Sequence, residues 1–141
     1  NGVVTSSLSW PEEHVFMDNA AFMTNEDGDD LIVSFAIPID EFGDVKSLTL
    51  LRTPKFESFL DEAERGVRIS SEDFPDDDTE LLERITVKGD LVTIKSTSRT
   101  YTVSIASVEA DEIEGAKKVL RKMNFDERFE LEFIERFAPP S

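Results

Sequence analysis

The stretch from Leu82 to Ala106 limits what this chain can fold into more than any other. From Ile85 onward it reads ITVKGDLVTIKSTSRTYTVSIA, three runs of alternating apolar and polar residues parted by turn formers. Gly89-Asp90 is a two-residue hairpin loop that tolerates positive φ, so Lys88 faces Leu91, Val87 faces Val92 and Ile85 faces Ile94. A second reversal at Ser98-Arg99 sets Thr97 opposite Thr100, Ile94 opposite Val103 and Val92 opposite Ile105, with Tyr101 beside Ser96. One face then collects Ile85, Val87, Val92, Ile94, Tyr101, Val103 and Ile105. The other collects Arg84, Thr86, Lys88, Thr93, Lys95, Thr102 and Ser104. Side chains alternate with period two, so a slip of one residue would scramble both faces. A sheet that is apolar on one side and wet on the other is antiparallel, and something must cover the apolar side.

The rest of the chain supplies strands and two covers. Residues 1–9 carry a weak strand signal in a polar end, and Trp10-Pro11 punctuates it. Val15 to Thr24 is strand-like, but its apolar residues fall on both parities. Leu31 to Ile39 alternates cleanly, with Leu31, Val33, Phe35, Ile37 and Ile39 on one face and Pro38 marking its end. Lys46 to Arg52 and Val67 to Ser70 read as further strands. Thr53-Pro54 opens a helix over about 54–65 whose stripe is Phe56, Phe59, Leu60 and Ala63, closed by Gly66. A second helix covers about 109–123, with Ile113, Ala116, Val119, Leu120 and Met123 buried, acids in its first turns and bases in its last. Gly115 weakens it by roughly 1 kcal/mol relative to alanine, and Asn124 is placed to stop it. Phe129, Leu131 and Phe133 alternate as a final strand.

These elements define an α+β chain of mainly antiparallel sheet, expected as a single domain over residues 1–141. The order also reads as a doubled β-β-β-α-β unit, with halves 13–71 and 80–137; ordinary α+β alternation is the equal alternative.

Composition narrows the function classes. There are 31 acidic residues against 15 basic ones, a formal charge of −16. Such a field repels nucleic acid and anionic membrane and favours encounter with basic partners. The absence of cysteine excludes disulfides and thiolate metal sites, and fits a cytoplasmic setting. No apolar run approaches the roughly 18 residues of a membrane span. The chain opens at Asn1 rather than methionine, which leaves room for an upstream segment.

No catalytic signature stands out. His14 is the sole histidine, in Pro-Glu-Glu-His where a solvated side chain is the simpler reading. No G-x-S-x-G, Walker loop or G-x-G-x-x-G is present. The acidic runs at Glu26–Asp30 and Asp73–Asp78 lack the spacing of a calcium loop, so no metal or cofactor is expected. The expected task is therefore binding: an inhibitor, immunity-type or chaperone-type module for a basic protein. Its contacts are expected at Asp27, Asp29 and Asp30, at Asp76, Asp77 and Asp78, and at Glu109, Asp111 and Glu112. An alternative patch is Arg84, Lys88, Lys95 and Arg99 on the wet face of the meander. A structural or oligomeric subunit is the competing reading, because Phe16, Phe22, Phe125, Phe129 and Phe137 exceed what two short helices need to cover. A carboxylate-dependent enzyme is the third.

Overall fold

A computed structural model describes residues 15–39, 43–74 and 80–134, and the side chains of residues 15–17 are left aside. The N-terminal strand signal, Trp10-Pro11, His14, Asp76–Asp78, Phe137 and the closing Ala138–Ser141 lie outside the described residues. The elements run β1 (Val15–Asn19), β2 (Phe22–Asp27), β3 (Leu31–Pro38), β4 (Val45–Arg52), two short 3-10 turns (Pro54–Phe59 and Glu62–Glu64), β5 (Arg68–Ser71), β6 (Leu82–Lys88), β7 (Leu91–Ser96), β8 (Thr100–Ser104), α1 (Ala110–Met123) and β9 (Glu130–Ile134). Most pairings are antiparallel. One sheet has the order β1-β8-β7-β6-β9 and the other β2-β3-β4-β5. No helix among the described residues is long and apolar enough to cross a membrane.

The meander is present with its apolar face as the alternation dictates, while Thr102, expected on the wet face, is buried. Ile85, Val87, Val92, Ile94, Tyr101, Val103 and Ile105 are all buried. The Gly89-Asp90 hairpin has the expected register, with Val87 opposite Val92 and Gly89 at φ 62°. The second hairpin is shifted by two residues: Ile94 pairs with Tyr101 and Val92 with Val103. The reversal has the expected length but falls one residue earlier, at Thr97-Ser98. Ser96 Oγ accepts the N–H groups of Ser98 and Arg99, each at 3.0 Å, and Ser96 N donates to Arg99 O at 2.8 Å. A shift of two preserves parity, so the apolar face survives it.

The ambiguous run from Val15 to Thr24 divides between the sheets. Ala20 N donates to Ser104 O in the first sheet at 2.9 Å, and Ala21 N donates to Ala36 O in the second at 2.8 Å. The chain passes from one sheet to the other between two adjacent residues, which is why its apolar residues occupy both parities. A second seam joins β5 to the start of β6, through Leu82 N to Val67 O (2.9 Å) and Ile69 N to Glu80 O (3.0 Å).

The inner faces of both sheets and the stripe Ala116, Val119, Leu120 and Met123 of α1 form one core cluster. α1 packs along β2 and β3, and Gly115 explains itself there. A Cβ at that position would come 2.7 Å from Asn25 Nδ2. The helix also returns the chain from β8 to β9, which pairs parallel to β6 and so requires a crossover.

Three expectations are corrected. Residues 54–65 are not an α-helix but two 3-10 turns, and Phe56 and Phe59 are exposed while Glu57 is buried. Ile39 lies past the end of β3 and is 56% exposed. Asn124 has φ −98° and is not left-handed; the positive φ of this turn falls on Glu127, at 56°. The two halves differ in elements and in pairing: among the described residues only the second has an α-helix, and β5 adds antiparallel beside β4, whereas β9 adds parallel beside β6.

Two isoleucines with similar sequence surroundings should therefore respond differently. Ile94→Ala should lower the unfolding free energy by about 2–5 kcal/mol, and Ile39→Ala should change it by no more than about 0.5 kcal/mol. Urea midpoints of the two variants check the contrast.

Candidate functional site

The site is built around an arginine at a core position. β4 sends alternate residues inward, and the series Leu48, Leu50, Arg52 places a guanidinium where a third aliphatic side chain would stand; it is 1% exposed. A buried guanidinium demands partners for all five of its N–H groups. Here all are met. Nε and Nη2 donate to the two carboxylate oxygens of Glu57 at 2.7 and 2.8 Å. Nη1 and Nη2 donate to the two oxygens of Asp126 at 2.8 Å each, and Nη1 also reaches Met123 O at 2.8 Å. The ring of Phe125 lies 4.2 Å from Cζ. Arg128 extends the network from Asp126 (2.8 Å) to Glu62 (2.7 Å).

These contacts shape the protonation states. Burial alone would lower the Arg52 pKa, but the hydrogen bonds to Asp126 and Glu57 outweigh it and hold the guanidinium charged. The hydrogen bonds from Arg52, then from Arg128, bring the Asp126 carboxyl down to about 2. Glu57 is lowered chiefly by its hydrogen bond from Arg52.

The same pairing accounts for the lost helix. Five residues separate Arg52 from Glu57, and their bidentate contact turns Glu57 inward, so the neighbouring Phe56 and Phe59 face out. Phe59 is 82% exposed and Phe56 is 54% exposed. Beside them opens a largely apolar cleft of about 210 Å³, with Leu51, Thr53, Phe56, Leu60 and Arg68 on its walls and Arg52 with Glu57 against it. Its surroundings are acidic. Asp30 accepts from Thr53 Oγ1 at 2.7 Å, and Asp29 pairs with Lys55 at 2.8 Å, which brings the β2–β3 turn to the cleft. Asp61, Glu62 and Glu64 are exposed on the second 3-10 turn. An apolar slot with Phe56 on its wall, Phe59 exposed three residues further on and carboxylates around it suits an apolar or aromatic side chain flanked by cations.

The residues singled out from sequence are divided by the fold. Asp29 and Asp30 reach the cleft. Asp27 pairs instead with Lys122 at 2.6 Å, beside the end of α1. Glu112 accepts the backbone N–H of Met23 at 3.0 Å, at the other end of β2. Glu109 and Asp111 are exposed nearby in the first turn of α1. The alternative basic patch is dispersed by internal pairing: Arg84 with Glu130, Lys95 with Glu83 at 2.8 Å, and Arg99 with Glu80 at 2.6 Å; Lys88 is exposed. Among the surplus aromatics, Phe129 is buried whereas Phe22 and Phe125 are exposed.

A second buried carboxylate, Glu80, holds the seam between β5 and β6. It accepts from Ser96 Oγ, from Tyr101 Oη at 2.8 and 2.9 Å, and from Arg99. Phe74 stacks over the Arg99 guanidinium, 3.7 Å from Cζ. Desolvation, reinforced by Glu80, pushes the Tyr101 hydroxyl up to about 12, so it remains a donor at neutral pH. Every group in this cluster is satisfied from within the fold, and its role is architectural.

Comparison with family models, with curated proteins and with solved structures returns no match in any of the three.

Sequence reasoning missed Phe56 and Phe59 as surface and Arg52 as their cause. A signal existed: Arg52 has the buried parity of Leu48 and Leu50, and a charge at such a position requires a nearby counter-charge.

Arg52→Ala should destabilise the fold by about 3–5 kcal/mol, because Glu57 is left buried without its partner; chemical denaturation measures it. The folded Asp126 pKa of about 2 lies below the ordinary aspartate value of about 4. Its contribution is therefore complete above that ordinary value and disappears as pH falls toward 2. Asp126→Asn should flatten the stability profile in this acid window and lower stability at neutral pH, as read from urea midpoints across the range.

Proposed function

We propose that this chain is a non-catalytic binding module that holds a basic segment of another protein, with an apolar or aromatic side chain of that segment seated beside Phe56. The observation that carries this reading is Phe59, a large aromatic side chain left 82% exposed in a strongly acidic chain. Contiguous exposed apolar surface rimmed by polar groups marks interaction sites. The flanking carboxylates of Asp29, Asp30, Asp61, Glu62 and Glu64 would attract lysine and arginine, and the phenylalanine faces add cation–π contact. The net charge of −16 speeds the approach of such a partner and opposes a second copy of the same chain. A cytoplasmic setting accords with the cysteine-free composition.

The competing reading, a subunit that shares an aromatic face between copies, draws on the exposure of Phe22 and Phe125. Both readings are tested by titrating an arginine- and lysine-rich peptide carrying a central phenylalanine, with calorimetry at low and high salt and sedimentation alongside. Binding should weaken as salt rises. Phe59→Ser should reduce affinity about tenfold or more, an ordinary aromatic hot-spot loss, while leaving the melting temperature unchanged. Absence of binding at low salt, equal binding by Phe59→Ser, or a dimer at micromolar concentration would overturn the proposal.

A further inference from the structure

The strand edges of this fold are treated unequally. The outer side of β2 is occupied by α1, whose Glu112 takes the Met23 amide. The outer side of β5 is occupied by the start of β6. β9, like β1 at the far edge of the same sheet, is different: it pairs with one strand, β6, and no described strand pairs with its other side.

The backbone of β9 shows what that side offers. In an extended strand the N–H and C=O of one residue point the same way, and successive residues alternate. Ile134 O accepts from Gly89 N at 3.0 Å, so Ile134, Glu132 and Glu130 turn their backbone groups toward β6. Leu131 and Phe133 therefore turn theirs outward. An open groove of about 540 Å³ runs beside this edge, lined by Arg121, Asn124, Glu127, Phe129, Glu130 and Leu131.

We infer that the outer edge of β9 accepts an added β-strand from a partner whose side chains alternate between basic and apolar. Leu131 and Phe133 lie partly buried on the core face, so the partner's apolar residues would continue that face over the groove. Glu130 and Glu132 are exposed on the opposite face. There Arg84 of β6 stands opposite Glu130 of β9 and pairs with it, and Glu132 stands opposite Thr86. A basic column beyond β9 extends that pairing, since opposite charges on neighbouring strands attract. The same glutamates select against the second copy of this chain. Antiparallel self-pairing that sets Leu131 against Leu131 or Phe133 puts glutamate against glutamate, in molecules that each carry −16. The edge is thus guarded against itself and open to a cationic strand, a form of β-augmentation.

Amide hydrogen exchange on the full chain, with and without a short peptide alternating lysine and valine, tests this inference. The amides of Leu131 and Phe133 should exchange at least about tenfold more slowly with peptide, and an analogue alternating glutamate and valine should give no protection. Glu132→Lys, an exposed substitution, should abolish the effect, whereas Phe59→Ser should leave it intact, which separates this edge from the cleft. The inference is overturned if saturating peptide leaves both amides unprotected or if the glutamate analogue protects equally. It is also overturned if Phe59→Ser removes the protection, or if the amides are protected without peptide in proportion to protein concentration.

Discussion

A single guanidinium decides how the two ends of this fold meet. Arg52 sits at the last inward position of β4 and spends every donor it has on Glu57, Asp126 and the carbonyl that ends α1. Placing that charge out of water is expensive, and only full pairing makes it tolerable. The demand propagates in both directions along the chain. Upstream of β5 it turns Glu57 inward and breaks a potential α-helix into 3-10 turns; beyond α1 it fixes Asp126 and Phe125 and so sets the approach to β9. The cleft, the exposed Phe56 and Phe59 and the start of the edge strand all follow from one charge that must be satisfied.

Acidity in this chain is therefore not only a surface property. Glu57 and Glu80 are buried, each with an arginine; Glu57 pairs within its own segment, and Glu80 pairs with Arg99, 19 residues on. Asp27 ties β2 to the end of α1 through Lys122, and Asp29 ties the β2–β3 turn to Lys55. The exposed pairs contribute little individually, because solvent and salt screen them. Their effect is to orient the remaining carboxylates, leaving a concentration of negative charge around the Phe56 cleft.

Much of the sheet was legible because period-two alternation is a local signal. Val92, Ile94 and Val103 could be assigned to the core from their spacing alone, and the Gly89-Asp90 loop specified its hairpin. The second hairpin was misregistered because its reversal falls one residue earlier, at Thr97-Ser98, where the Ser96 hydroxyl caps it, and that hydroxyl is held by Glu80, 16 residues away in sequence. The stripe Phe56, Phe59, Leu60 and Ala63 had correct helical spacing and still failed, since spacing says nothing of an arginine that claims the intervening glutamate. Similarly, the mixed parity of Val15 to Thr24 recorded a passage between sheets rather than an indistinct strand. Of the site, the acidic turn at Asp29 and Asp30 could be read in advance; the aromatics beside it could not, because their exposure arises from the pairing of Glu57 with a buried arginine.

The passage at Ala20 and Ala21 has a mechanical consequence. Consecutive amides there are anchored to opposite sheets, one to Ser104 and the next to Ala36. A hinge needs a pliant joint, and this joint has no slack: prising the layers apart would have to rupture both anchors within one peptide unit. Breathing motions should accordingly be confined to the opposite margin, where the 3-10 turns are held by side chains rather than by a shared backbone.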